Sequence, residues 1–515
     1  MLEYLLQTHP WLLLGGLDPG EDSQALLEAF WETYKVEQLS HAVYEMAQAG
    51  RVNLAFTIPL VLHGDGGRTL KKQPLEILSF QPVLGITTQD AVLKCKCPHP
   101  VRYRGNGPRG LDAMSLRLNF QGDSYLHHFL MVAFPTKHYP KTPGLLHSVF
   151  EAASKNLSEI CNNGLVVHGQ KWHVAVLGMR GDMEYHHKMG SLKRSYMNVG
   201  TTNQIACCHM CSAGSAGIPF EDFSRSAAWQ RTLFGSLLWD SPPPFRSIPY
   251  EDWTTGKASG WFKGDPFHTF RLGIARNFFA SALVMLCLEG LFDEIGAGAG
   301  IVDRFSRAWS HFALWCSSEK VTTSGIRAFT KDKLHFNTMN SFPWVGCKGS
   351  DSILLLRWLR FFAGLKLREF PDLECLPLII EACDHGLAFQ AFHRHGLFLK
   401  PGCRDNISRS CRMFLFCYAK LAGIALQNQQ TLFAQLPKGH ALAHIFMFLE
   451  MSKRQGHAVC LNPGVWDCSQ SEDFVGKVAR QSRRVSYRNV VNNTLLAYLV
   501  KTRSVLKDYI KQKRR

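Results

Sequence analysis

Acidic residues are in short supply: 41 Asp plus Glu stand against 58 Lys plus Arg, giving a formal net charge of +17. Such a deficit points to a polyanionic partner, most often nucleic acid, with a basic but inert surface as the bland reading. Long apolar runs are also missing. The longest, Phe278 to Leu288, is too short to span a bilayer. The N-terminus, Met1-Leu-Glu-Tyr-Leu-Leu, places an acid where a secretory signal carries positive charge. The expectation is a protein that is neither secreted nor in a membrane, at work in the nucleus or cytoplasm. The 16 cysteines are scattered along a long chain, which argues against a disulfide framework. Internal repeats and low-complexity tracts are absent. What remains is an ordinary globular composition, 46% hydrophobic and 19% charged, with a sizeable core.

Within 515 residues, two to four domains are expected at about 150 residues each. Residues 1–50 read as a helical segment, with Asp22-Ser23 as a cap. The texture then changes. Phe56 to Leu62, Leu75 to Leu84 and Tyr125 to Phe134 read as strands, and Leu116 to Phe120 as a doubtful short one. A helix follows over Pro143 to Asn162, then a strand over Trp172 to Leu177. From about 265 to 460 the periodicity is almost wholly helical, and late helices are expected near 472–484 and 493–507. The proposed division is 1–50, 51–275, a helical 276–460, 461–500, and a basic tail at 501–515. From Lys477 to Arg515 there are twelve Lys or Arg against the single acid Asp508. That run suits a phosphate-contacting tail, a nuclear-import signal or a merely solvated end.

Three acids fall at suggestive places. Asp65, in His63-Gly-Asp-Gly-Gly67, follows the first strand. Asp182 follows the strand behind the first core helix, and Glu472 opens a late helix. Mg²⁺ or Mn²⁺ phosphodiester chemistry needs such carboxylates, since two ions about 4 Å apart serve the attacking and leaving oxygens. Taken singly, each acid has a structural reading: a turn, a turn or cap, and a helix-start acid favoured by the dipole. Cys208-His-Met-Cys211 is a lone CxxC. It suits zinc if two more ligands exist among His186, His187, His268 or the Cys95/Cys97 pair, with Cys207 as an alternative thiol. A redox pair and inert buried thiols are the rivals. Asp265-Pro-Phe-His268 is either an Asp–His pair facing one side of a helix start or an ordinary cap. In Lys438-Gly-His440-Ala-Leu-Ala-His444 the two histidines share a helix face and could take metal or phosphate. Lys477, Arg480 and Arg484 form a stripe, with Arg483 beside it, suited to DNA lying across a metal site. An exposed basic helix is the plain alternative.

In order, "LHGDGG", "GMRGDMEYHHKMGSLKRSYMNVGTTNQIACCHMC", "GDPFHTFRLGIARNF" and "LPKGHALAH" with "SEDFVGKVARQSRR" resemble the catalytic part of eukaryotic cut-and-paste DNA transposases. The Plavaka and CACTA (En/Spm-like) groups are the nearest in pattern, and the likeness covers roughly residues 55 to 490. The resemblance implies an α/β ribonuclease H-like core, a mixed sheet flanked by helices and interrupted by a large all-α insertion. It implies an Asp-Asp-Glu triad at Asp65, Asp182 and Glu472 holding two Mg²⁺ or Mn²⁺ ions. Glu472 is preferred to Asp473 or Glu450 on the Glu-x-Phe-x-Gly register. Asp265 and His268, with His440 and His444, become secondary site residues. Lys438, Lys477, Arg480, Arg483 and Arg484 become DNA contacts, and a homo-oligomer on DNA is expected. Two departures stand out. Residues 1–50 contain no Cys and two His, leaving no Cys-bearing finger there, and Ile86 to Gly122 fits no pattern. A truncated, decayed or host-adopted copy, an inactive DNA-binding derivative, or a zinc-stabilised interaction protein are the rival readings.

Overall fold

Every residue from Thr57 to Gly64 is buried. An unbroken buried run of that kind belongs to the middle of a sheet, where both faces are covered. In the computed structural model, which describes residues 1–68, 74–88, 114, 116–136, 142, 144–199, 205–239, 241–485 and 489–513, this run is the central strand β1 (Thr57–Arg68). It pairs antiparallel with β2 (Pro74–Pro82), which pairs antiparallel with β3 (Phe129–Pro135). Ahead of the sheet come α1 (Leu2–Thr8), α2 (Glu21–Tyr34) and α3 (Ala42–Gln48). They share one apolar core with it, through Phe30, Trp31 and Tyr34.

Helix α4 (Leu145–Asn163) stops at Gly164, whose φ of 72° suits glycine. Next comes β4 (Leu165–Val167), which the sequence reading did not contain. It turns back through His168 and Gly169, both at positive φ as a two-residue hairpin requires. The returning strand β5 (Gln170–Arg180) runs parallel to β1. The sheet order is β3-β2-β1-β5-β4, mixed and five-stranded. The doubtful strand at Leu116 to Phe120 reduces to one bridge, Leu118 with Leu84.

After α5 (Met183–Gly190) the chain makes a long excursion with few regular elements, then enters a helical region. A π-helical stretch, Phe267–Ile274, leads into α6 (Ala275–Leu288), with a kink at Gly273. Phe267–Leu288 is long and apolar enough to cross a membrane by length and composition, and 72% of its apolar window is buried inside the protein. It forms the centre of a second core with α7 (Ile301–Ser318), α8 (Gly349–Glu369), α9 (Cys375–Phe389), α10 (Pro401–Gln427) and α11 (Pro437–Arg454). Two-residue strands β6 (Phe398–Leu399) and β7 (Cys460–Leu461) pair with each other. The chain then returns to the sheet. Helix α12 (Ser469–Ser482) packs across β1, and α13 (Val490–Lys513) lies against α12 and β3, continuing as helix into the basic end. Mixed α/β with an extensive helical region is the architecture shown.

Candidate active site and metal centre

Asp65 lies inside the β1 ladder, opposite Ile77, and not in a turn after the strand. Glycine and aspartate disfavour strands locally, but tertiary packing decides here. A Cβ on Gly64 would fall 2.1 Å from the Tyr185 ring, and one on Gly67 would sit 2.9 Å from Ala479 Cβ of α12. Nothing lies within 4 Å of such a Cβ on Gly66. Two of the three glycines therefore let α5 and α12 close onto the strand.

The β1–β5 register ends with His63 beside Arg180. Two residues further along each chain stand Asp65 and Asp182, at the same end of the sheet. Gly181 keeps these strand ends close, since its Cβ would lie 2.9 Å from Gly64 O. Asp65 Oδ1 accepts the Gly66 N–H at 2.6 Å. Asp182 caps α5, accepting the Tyr185 N–H at 2.6 Å. Burial, then the negative charges of Glu472 and Asp182, push the Asp65 carboxyl up to about 9. Glu472 is raised as well, first by burial, while His268 and its hydrogen bond with Asp65 oppose the rise. Both carboxyls of the Asp65–Glu472 pair thus hold a proton more readily than ordinary ones.

Behind Glu472 stands a supporting dyad. His268 Nε2 is 3.5 Å from Glu472 Oε1, and His268 Nδ1 donates to Asp265 Oδ2 at 2.5 Å. Burial would lower His268, but the Asp265 hydrogen bond and charge, then Glu472 and Asp182, bring it to about 9. Asp265 is buried, yet His268 and the N–H groups of Phe267 and Cys468 hold its carboxyl below the ordinary value. The π-helical turn at Phe267–Ile274 sets this geometry; such turns concentrate at functional sites.

Of the candidates for the third acid, Glu472 is the one at Asp65. Asp473 faces away, pairing with Lys477 at 2.7 Å and accepting from Ser124. Glu450 sits among Arg412, Arg225 and Arg454. A fourth acid escaped the sequence reading. Glu76, opposite Gly66 on β2, is buried and paired with Lys188 of α5. A lone acid in the apolar run LEILSF was the available signal. Arg180, also missed, is buried under the site and donates to Val465 O at 2.8 Å and to Gln81.

Cys208, Cys211, His440 and His444 are all buried, with one ligand atom from each lying within 4.8 Å of the others. Cys208 Sγ is 3.3 Å from His444 Nε2, Cys211 Sγ is 3.3 Å from His440 Nε2, and the two Nε2 atoms are 3.0 Å apart. Tetrahedral zinc at its usual bond lengths sets such atoms about 3.3–3.8 Å apart. His440 Nδ1 donates to Phe220 O at 3.1 Å, which leaves Nε2 free to bind metal. The structure thus holds a Cys₂His₂ cluster suited to a structural metal. The ligand partners differ from those expected. His186 packs against Phe262 and His209, and His268 serves Glu472. Neither His187 nor Cys207 belongs to the cluster. Cys95 and Cys97 lie outside the described residues.

Among the described residues one further set has three such atoms within 4.8 Å: Asp265, His268 and Cys468. It is already joined by its own hydrogen bonds. Asp65, Asp182 and Glu472 do not form such a set: their three carboxylates do not all come within 4.8 Å of one another. The basic candidates divide. Lys477 is held between Asp123 at 2.8 Å and Asp473 at 2.7 Å. Lys438 is partly buried, donates to Leu272 O at 3.3 Å and feels Asp182 and Asp265. Arg480 is exposed in the last turn of α12, whereas Arg483 and Arg484 are exposed just past its end, so the three do not line one helix. No protein-family model and no curated protein matches the chain.

Proposed function

We propose that the chain is a metal-dependent DNA-cleaving and strand-transferring protein of the cut-and-paste transposase type, built on a ribonuclease H-like core. The observation that carries this reading is that Asp65 and Asp182 each stand two residues past the last β1–β5 pair, His63 with Arg180, with Glu472 of α12 brought onto Asp65. Hard carboxylate oxygens with a shared excess of negative charge fit divalent Mg²⁺ or Mn²⁺. Such ions supply a nucleophilic oxygen at neutral pH and neutralise charge on the phosphate under attack. In the chain itself, Asp265 orients His268, and His268 holds Glu472 against Asp65. Lys438 brings a cation to the inner wall of the site, and Arg480, Arg483 and Arg484 offer contacts to the DNA backbone. The Cys208, Cys211, His440 and His444 cluster takes zinc, pinning the loop after α5 to α11. A nuclear protein acting as a homo-oligomer on DNA follows from the same reading.

The test is strand cleavage of a supercoiled plasmid with Mn²⁺. Wild type should nick it, and Asp65→Asn should abolish nicking while salt-sensitive DNA binding persists. Binding without cleavage by wild type would replace this reading with an inactive DNA-binding derivative. Absence of DNA binding at moderate salt would leave a zinc-stabilised interaction protein.

A further inference from the structure

Between α7 and α8 the chain spends some thirty residues without regular structure, yet in a defined conformation. Its inner side chains, Ile326, Phe329, Leu334, Phe336 and Val345, are buried in the helical core. Its outer face is the reverse of what a soluble surface needs. Met339, Phe342 and Trp344 are 54%, 52% and 38% exposed. Large exposed side chains clustered on one loop mark an interaction site.

The loop is built to hold one of these rings still. His335 stacks on the Trp344 indole, with centroids 3.6 Å apart and planes at 16°. Its Nδ1 donates to Trp344 O at 3.1 Å. His335 sits at φ 47°, a left-handed conformation that non-glycine residues seldom adopt without surrounding constraint. One face of the indole is therefore supported, and the ring is pre-set for a partner on its exposed side. The charge around it is one-sided. From Lys320 to Lys348 there are five Lys or Arg against the single acid Asp332.

The loop also returns to the candidate active site. Val345 N–H donates to Arg276 O, and Arg276 donates to Cys347 O. Gly349 lies so close to the Phe267 ring that a Cβ would fall 2.5 Å from it, and Phe267 packs edge-on against His268. The platform and the dyad behind Glu472 are thus tied to one continuous segment, residues 265–276.

We propose that this loop is a stacking platform for single-stranded DNA, with bases on Trp344 and Phe342 and phosphates on Lys331 and Lys333. Every base offers a π face, so rigid aromatics interleaved with lysines bind unpaired strands with little sequence preference. Paired bases are stacked on each other and cannot use it. The inference rests on the DNA-processing reading above, in which a cut strand end has to leave its duplex before it is transferred.

The experiment measures binding of a labelled oligothymidine strand and of a duplex of equal length to the full chain, without divalent ions. Trp344→Ala and Phe342→Ala should each weaken single-strand binding by about tenfold or more. Duplex binding should stay within twofold, and Trp344→Phe should restore most of the loss. Leu314→Ala, exposed on α7, should change neither. The double variant Lys331→Ala/Lys333→Ala, which leaves the rings untouched, should flatten the salt dependence of single-strand binding by about one to one and a half in log–log slope. Unchanged single-strand affinity in both aromatic variants, or an unchanged slope in the lysine variant, overturns the platform. So does a change confined to self-association in sedimentation, which would make the face a protein-docking surface. Failure of wild type to cleave DNA, with the Trp344 effect intact, would overturn the nuclease reading and leave the platform standing.

Discussion

Replacing Asp65 by Asn should make the metal-free protein more stable while destroying its response to Mn²⁺. In the folded chain Asp65 keeps its proton up to about 9, whereas its ordinary value is 3.8. Between those two values the folded state binds more protons than the unfolded one. Stability contributed by the protonated form is therefore complete at low pH and drains away as pH rises through this window. Each pH unit is worth at most about 1.4 kcal/mol, so the ceiling from pH 5 to pH 8 is about 4 kcal/mol. Partial exposure and the coupling to Glu472 reduce the working figure to about 1–2 kcal/mol. Asparagine keeps the shape and drops the charge. In buffer free of Mg²⁺ and Mn²⁺, Asp65→Asn should melt roughly 1–2 °C above wild type at pH 8. At pH 4 the two should melt together. Adding Mn²⁺ should then raise the wild-type Tm and leave that of the variant unchanged. A variant less stable than wild type at pH 8 without Mn²⁺, or equally stabilised by it, would refute the claim that Asp65, Asp182 and Glu472 repel one another at a cation site.

Cys211→Ser should remove one bound zinc by metal analysis. Because Cys211 and His440 are 229 residues apart, it should also forfeit about 5 kcal/mol of loop closure, read as a Tm lowered by about 5 °C. Wild type purified without stoichiometric metal, or unable to take Co²⁺ with thiolate charge-transfer absorption, would count against the cluster. Gly67→Ala should displace α12, costing about 1–3 kcal/mol and at least tenfold in cleavage rate, while Gly66→Ala, with open space around it, should be near neutral on both.

The strand and helix order was readable because buried runs such as Ile58 to Leu62 and Val174 to Leu177 have no other home. The Asp65 stretch was not. Its turn-like composition reflects neighbours far along the chain, Tyr185 and Ala479, for which Gly64 and Gly67 make room. The CxxC was visible as two zinc ligands, but its partners were not, since only folding brings α11 to residues 208–211. His440 and His444 at i, i+4 were noted as a pair with no address. The basic stripe gave no hint that Lys477 pairs with Asp123, over 350 positions earlier. The hairpin at β4 hides in His168-Gly169, a two-residue turn with no Asn to announce it.

The placement of Glu472 on α12 has a consequence for biosynthesis. Asp65 and Glu472 are separated by about 400 residues, so a ribosome working at about 5–20 residues per second makes the second acid roughly 20–80 s after the first. During that interval β1 has its neighbours β2 and β5, but the surface that receives α12 stands bare, with the apolar side chains of Leu75 and Ile77 uncovered. The nascent chain thus carries Asp65 without its later acid partner and an adhesive sheet face together, and the helix that brings Glu472 to Asp65 also covers that face.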